Sequence, residues 1–275
     1  MSETREMVRL PRFPSARLAA AFLVIIGLAA LFAPLLTSDP DRIDLRARLQ
    51  PPGAEHWLGT DDLGRDLFAR VIHGARISLL IGFTAALVSF CIGVTLGGFA
   101  GYFGGAADWI VSRVIEVVIC FPFLFLLLAI VALIGPSVLT IILALGLTSW
   151  TNEARYVRAE VLRVRETEFA AAARAIGARS PRILFRHLLP NAIAPAIVSA
   201  SFGVASAILL ESAISFLGFG VPLPQASWGS ILSSADEYIR EAWWLVLFPG
   251  LAIFLTVSAC HTLGERLREV LHPRG

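Results

Sequence analysis

The sequence predicts an all-α integral membrane protein with six transmembrane helices and with its N- and C-termini in the cytoplasm. Of its 275 residues, 56% are apolar and 16% are charged, whereas about 25% of the residues in an ordinary soluble domain are charged. The apolar residues also cluster into runs close to the ~20 residues that a helix needs to cross a bilayer. A third observation, the distribution of arginines between those runs, sets the orientation.

Six apolar runs predict the spans. The first follows an arginine-rich start and is too long for the core of a signal peptide, so it is predicted to remain as an uncleaved helix. The third carries Pro122, which predicts a kink. The fourth has a short apolar core and must continue helically beyond its end. In chain order the runs are 18–36, 77–100, 111–134, 137–150, 192–217 and 242–263.

The arginines divide unequally between the two sides of the membrane. With the N-terminus inside, the inner segments carry sixteen arginines and the outer segments seven, as expected because positive charge stays cytoplasmic. In the outer segment 218–241 and just after it, Trp228 and Trp243-Trp244 are predicted to lie at headgroup level. The predicted segments are a cytoplasmic N-terminus 1–17, a first helix 18–36, an external loop 37–76, a five-helix core 77–263 with a cytoplasmic loop 151–190 and an external loop 218–241, and a cytoplasmic C-terminus 264–275.

The basic residues exclude some chemistry. All 23 are arginines and the chain has no lysine, so it has neither a phosphate-binding loop of the G-x-x-x-x-G-K-[ST] form nor a Schiff-base lysine. The chain is therefore predicted to bind no cofactor, and any ATP must be held by a partner. Cys91, Cys120 and Cys260 lack C-x-x-C spacing and neighbouring histidines, so no metal site is predicted.

A polar, basic stretch lies between two apolar runs: residues 168–191 read "EFAAAARAIGARSPRILFRHLLPN". The alanines predict a helix that Gly177 ends, and Ser180-Pro181 starts a second one. This helix-turn-helix either docks on another protein or lies on anionic lipid, and its spacing alone does not decide between them.

The stretch resembles the signature loop of ABC-importer permeases, in which E-A-A is followed by three residues, a glycine, and finally L-P. Ala171-Ala172-Ala173 precede Gly177 at that spacing and Leu189-Pro190 close the pattern, but Ala171 stands where the family has glutamate. Two further stretches, 56–82 and 211–229, are similar to the second permease of dipeptide, oligopeptide and nickel importers.

The resemblance implies the type I importer permease fold in a bacterial inner membrane, without enzymatic activity in this chain. It implies a homologous second permease, one or two cytoplasmic ATPase subunits that hold ATP and Mg²⁺, and an external substrate-binding protein, with the lipid bilayer and no nucleic acid. The loop would dock on the ATPase, and Glu168 is hypothesised to replace the glutamate missing at Ala171. The loop residues so implied are Glu168, Ala171, Ala172, Ala173, Arg174, Gly177, Arg182, His187 and Pro190.

Peptides are the expected substrate, and nickel or another small solute is the alternative within the subfamily. Glu211 lies deep in the fifth run, where an ionised group is expensive. It either lines the pathway or holds the structure together. A rival of another class is a stand-alone carrier driven by protons through Glu211, although six spans without an inverted repeat are few for that architecture. An intramembrane serine protease is disfavoured because no G-x-S-x-G elbow is present.

Four glycines recur at every fourth position from the second run onward: Gly93, Gly97, Gly101 and Gly105. A stripe of small residues lets two helix backbones approach closely. Helix packing is therefore the favoured role for these glycines, ahead of a role in the pathway.

Overall fold

A computed structural model describes residues 16–175, 177–222 and 224–271. The predicted N-terminal segment 1–17 lies almost entirely outside the described residues, as does the end of the C-terminal segment, 272–275. Within the described ranges the chain is helical and contains no β-strand, only an isolated bridge between Thr60 and Asp66.

The α-helices follow one another in this order: α1 (Ala16–Leu31), α2 (Ala33–Leu36), α3 (Leu67–Phe103), α4 (Gly105–Cys120), α5 (Phe123–Ile134), α6 (Val138–Ser149), α7 (Thr151–Arg165), α8 (Glu168–Ala175), α9 (Ser180–Arg182), α10 (Leu189–Ala192), α11 (Ala194–Phe216), α12 (Trp228–Ala235) and α13 (Trp244–Leu271). Two short 3₁₀ turns lie outside them, and a π-helical segment, Ile183–Leu188, joins α9 to α10.

Among the described residues, α3, α11 and α13 are each long and apolar enough to cross a membrane. The bent pair of α4 and α5 gives a fourth crossing if it is counted as one span, and α1 is apolar but shorter. The helix α3 begins at Leu67, well before the apolar run at Ile77, because the Asp66 side chain accepts a hydrogen bond from the Ala69 N–H at 2.8 Å and so caps its first turn.

The helices α4 and α5 meet at an angle of 88°. Phe121 is extended and Pro122 precedes the first residue of α5. Proline disfavours a helical residue before it and lacks the N–H that would continue the ladder. The kink predicted at Pro122 is therefore a full break between two helices.

The central helix is α3, which packs against α6, α7 and α11, while α13 packs against α11 and α1. Of the three tryptophans predicted to lie at headgroup level, Trp228 and Trp244 are buried in this core and Trp243 is exposed. The Trp228 indole donates to the Val71 carbonyl and the Trp244 indole to the Thr60 carbonyl, each at 3.0 Å. Buried indoles need such acceptors, and these two hydrogen bonds hold the start of α12 to α3 and the start of α13 to the loop before α3.

Candidate functional site

The polar loop has the helix-turn-helix form that its residues predict. The first helix, α8, is followed by Gly177 at a φ of 76°, a left-handed conformation that favours glycine. Ala170 is fully buried against the loop's own apolar core, whereas Glu168, Ala171 and Ala172 are exposed. Ala173 and Arg174 belong to α8, but their side chains lie outside the described part of the chain.

The second arm of the loop runs from α9 through the π-helical segment to α10. Arg182 and Pro190 are exposed, and the His187 ring contacts the Phe169 ring edge-on, with centroids 5.7 Å apart. Two exposed aromatic side chains add to the predicted residues: Phe169 is 46% exposed and Phe185 is 59% exposed. Sequence reasoning missed both, although an aromatic residue in a polar loop is a visible signal for a docking surface.

The loop is held to the core of the protein through α7, which packs against α3. A Cβ added at Gly93 would lie 2.9 Å from the Trp150 carbonyl oxygen, and one at Gly97 would lie 2.3 Å from the Ala154 carbonyl oxygen. A Cβ at Gly101 would lie 2.8 Å from the Arg158 oxygen. Backbone therefore meets backbone along three glycines of the stripe.

Gly105 does not continue this contact. The helix α3 ends at Phe103, and Gly105 begins α4 with a φ of 51° and no atom within 4 Å of an added Cβ. Gly105 therefore keeps the four-residue spacing of the stripe but lies on a different helix from the other three glycines. Gly105 allows the chain to turn into α4 rather than packing two helices together.

Two arginines of α7 add polar ties. The Arg158 guanidinium forms a two-pronged contact with the Asp108 carboxylate of α4, with one N–O distance of 2.6 Å. This hydrogen bonding raises the pKa of Arg158, which keeps the guanidinium charged. At the other end of the helix, Arg165 donates to the Gly101 and Tyr102 carbonyls at 3.2 and 3.1 Å, where α3 leaves carbonyls without helical partners.

A cavity of about 550 Å³ lies between α3, α6, α7, α11 and the break between α4 and α5. Its wall is made of small, hydroxyl-bearing and apolar side chains with the amide of Asn152, and Glu153 is the one ionisable residue among the described residues that line it. Glu153 is 5% exposed. Its carboxylate accepts hydrogen bonds from Ser199 at 3.1 Å and from Ser89 at 3.5 Å.

Glu211 lies outside that cavity. It is fully buried and accepts hydrogen bonds from Ser215 at 2.7 Å and from Ser78 at 3.2 Å. The Ser78 hydroxyl in turn accepts from the backbone N–H of Trp228 at 3.2 Å. This closed polar cluster ties α11 to α3 and α12, an arrangement that favours the structural role for Glu211.

Two protein families match the chain. Residues 93–274 match the family described as binding-protein-dependent transport system inner membrane component. Residues 7–52 match the N-terminal transmembrane domain of oligopeptide transport permease C. Together the matches cover most of the chain.

Curated relatives are similar along nearly the whole length. The dipeptide transport system permease protein DppC of Alkalihalophilus pseudofirmus is 44% identical over 94% of this chain and 86% of its own. The oligopeptide transport system permease protein OppC of Bacillus subtilis is 38% identical over 96% of this chain and 88% of its own. Among solved structures, inward-facing conformations of the MetNI methionine ABC transporter align with a TM-score of 0.59 at 19% identity, covering 74% of this chain and 96% of that one.

Proposed function

The chain belongs to the family of inner membrane components of binding-protein-dependent transport systems, and from that premise we propose that it is a permease subunit of an ATP-driven importer of di- or oligopeptides. The family membership confirms the resemblance seen in three stretches of the sequence. The chain's relatives are transport components rather than enzymes. The proton-driven carrier is disfavoured on the same ground, and also because Glu211 lies in a closed cluster.

One observation carries the proposal: the exposed helix α8 is attached to the transmembrane core through a continuous path. Ala170 packs α8 onto α7, and α7 lies backbone to backbone on α3 at Gly97. A force on α8 therefore reaches the membrane core without passing through a flexible linker. Such an arm suits a partner that moves when it binds and hydrolyses ATP.

The exposed face of the loop suits docking on protein. Ala171 and Ala172 leave room for a close approach, and Phe169 and Phe185 offer apolar area. Arg182, Arg186 and His187, with Gly177 and Ala178, line a concave patch of about 450 Å³ whose positive charge would complement an acidic surface. Docking on a cytoplasmic ATPase subunit, which would hold the ATP and Mg²⁺, is favoured over lipid binding because this surface is concave.

Peptides are the proposed substrates because the relatives carry dipeptide and oligopeptide names. Nickel or another small solute remains the alternative. Within the described residues, no group of three or more His, Cys, Asp or Glu side chains lies together as a metal site would require. Delivery would fall to an external binding protein, and a homologous second permease would complete the pathway.

We further propose that the chain crosses a bacterial inner membrane six times with both termini in the cytoplasm. The crossings would be α1, α3, the α4–α5 pair, α6 with the start of α7, α11 and α13. Arg42→Cys and Glu269→Cys, each made in a background without the three native cysteines, test this orientation. In spheroplasts an impermeant maleimide should label Arg42→Cys, and should label Glu269→Cys only after permeabilisation; the opposite pattern refutes the orientation.

The central experiment is purification of the tagged chain from its own membrane, followed by mass spectrometry and an ATPase assay. We expect a second permease and ATP-binding subunits to co-purify, with hydrolysis stimulated by the binding protein and peptide. Ala172→Arg should abolish that stimulation by blocking α8. Ala106→Arg, the same change at an exposed alanine on the same predicted side but outside the loop, should not; equal effects of the two variants would remove the docking argument.

A further inference from the structure

Glu153 is the one ionisable side chain that lines the cavity beside the α4–α5 break, and among the described residues it forms no ion pair. The described salt bridges of the chain join other acids to arginines or histidine. The described hydrogen-bond donors to the Glu153 carboxylate are the hydroxyls of Ser89 and Ser199 and its own backbone N–H. Neutral donors stabilise a carboxylate less than a cation does. A buried carboxylate is costly unless paired, so this position would gain from a positively charged guest.

The position of Glu153 is determined by its neighbours on two other helices. Gly93 of α3 allows the first turn of α7 to lie so close that an added Cβ would come within 2.5 Å of the Glu153 Cβ. From α11, Ser199 bonds the carboxylate and Gly203 leaves the space beside it open, with 3.9 Å from an added Cβ to Oε1. The chain therefore presents this carboxylate from a rigid, closely packed support.

The cavity has the size and lining of a small-molecule site. At about 550 Å³ it falls in the range of ligand pockets. The same cavity is lined by the hydroxyl-bearing side chains of Thr148 and Ser206 and by the apolar side chains of Phe121, Phe202 and Leu210. Asn152 also lines it, but its amide oxygen already accepts from Arg155 at 2.6 Å. One carboxylate with hydroxyls provides few oxygen ligands for a divalent metal, whereas it suits an ammonium group with an apolar neighbour.

We propose that Glu153 binds the positively charged amino group of a peptide during its passage through this chain. This inference rests on the proposed function, and it names the chemistry that the pathway recognises: a free N-terminal ammonium at Glu153, with the peptide's apolar side chains against the phenylalanines. A second cavity shares Ser199 and Phe202 with the first and is also lined by Glu265, Arg268 and Glu269 near the end of α13.

The test is equilibrium binding of radiolabelled Ala-Ala to the purified complex of permeases and ATPase subunits, without the binding protein. Glu153→Gln keeps the shape and a carbonyl that can accept from the serines, so the complex should assemble. We expect it to weaken Ala-Ala binding by roughly tenfold or more, the factor expected from losing one charge-assisted hydrogen bond. N-acetyl-Ala-Ala should bind the wild-type complex weakly and should show no further loss in Glu153→Gln.

Glu160→Gln is the matched control, because Glu160 lies on the same helix but pairs with Arg163 outside the cavity; it should leave binding unchanged. Equal Ala-Ala affinity of the wild-type and Glu153→Gln complexes, or no binding to either, overturns the inference. ATP hydrolysis stimulated by the binding protein is measured on the same preparations. If stimulation is present while Glu153→Gln has no effect on binding, only the inference fails; if the wild-type complex shows no stimulation, the proposed function fails.

Discussion

The contact between α3 and α7 gives the sharpest prediction, through the substitution Gly97→Ala. The added Cβ would lie 2.3 Å from the Ala154 carbonyl oxygen and 2.9 Å from its Cα, whereas ordinary contact begins near 3.4 Å. The two helices must therefore separate by about 1 Å, because the atoms in the way belong to backbone and cannot rotate aside. Overpacking of this kind costs about 1–3 kcal/mol.

We expect Gly97→Ala to lower the melting temperature of the purified complex by several degrees and to reduce the ATP hydrolysis that the binding protein stimulates. The second effect follows because α7 connects the loop to α3. Gly250→Ala is the control, since Gly250 lies inside α13 and an added Cβ would meet no atom within 4 Å. If Gly97→Ala behaved like Gly250→Ala in both assays, α7 would not be the rigid connection described above.

Three further predictions concern polar side chains. Arg158→Ala should leave the partly buried Asp108 carboxylate without its guanidinium partner and should reduce transport in proteoliposomes. Arg158→Lys keeps one contact with Asp108 and should reduce transport less. If the two variants lost transport equally, the ion pair would not be the cause. Glu211→Gln should retain most uptake. Glu211→Ala should lower the free energy of unfolding by about 1–3 kcal/mol, because it leaves serine hydroxyls unpaired. If Glu211→Gln lost as much uptake as Glu211→Ala, the charge-based pathway role would be restored. Glu168→Ala should weaken stimulated ATP hydrolysis and Ala171→Glu should strengthen it, both measured on purified complexes; undiminished stimulation in Glu168→Ala would refute the replacement hypothesis.

The sequence was sufficient for the class of fold and for the family, because both depend on local signals. Long apolar runs predict α3, α11 and α13, since burial in lipid requires apolar residues along the whole helix. The helix-turn-helix form of the loop could also be predicted, because the backbone preferences of Gly177 and Ser180-Pro181 alone indicate where one helix ends and the next begins.

Glu153 was not found because its environment is assembled from three helices. In the sequence it follows a short apolar run and counts as one of the acids of a polar loop. Its burial depends on the close approach allowed by Gly93 and on Ser89 and Ser199, which come from positions far apart in the chain. The burial of Trp228 and Trp244 could not be predicted for the same reason, because the carbonyls that accept from their indoles lie far away in the sequence.

The break between α4 and α5 also determines which side of this chain can face lipid. The last turn of one helix and the first turn of the next leave backbone carbonyl and N–H groups without helical partners. Such groups are tolerated at membrane depth only where protein or water covers them, and Phe121 to Phe123 border the cavity. In the proposed importer, that side would face the second permease and a water-filled pathway, while the exposed apolar row of Leu247, Leu251 and Phe254 on α13 would face acyl chains.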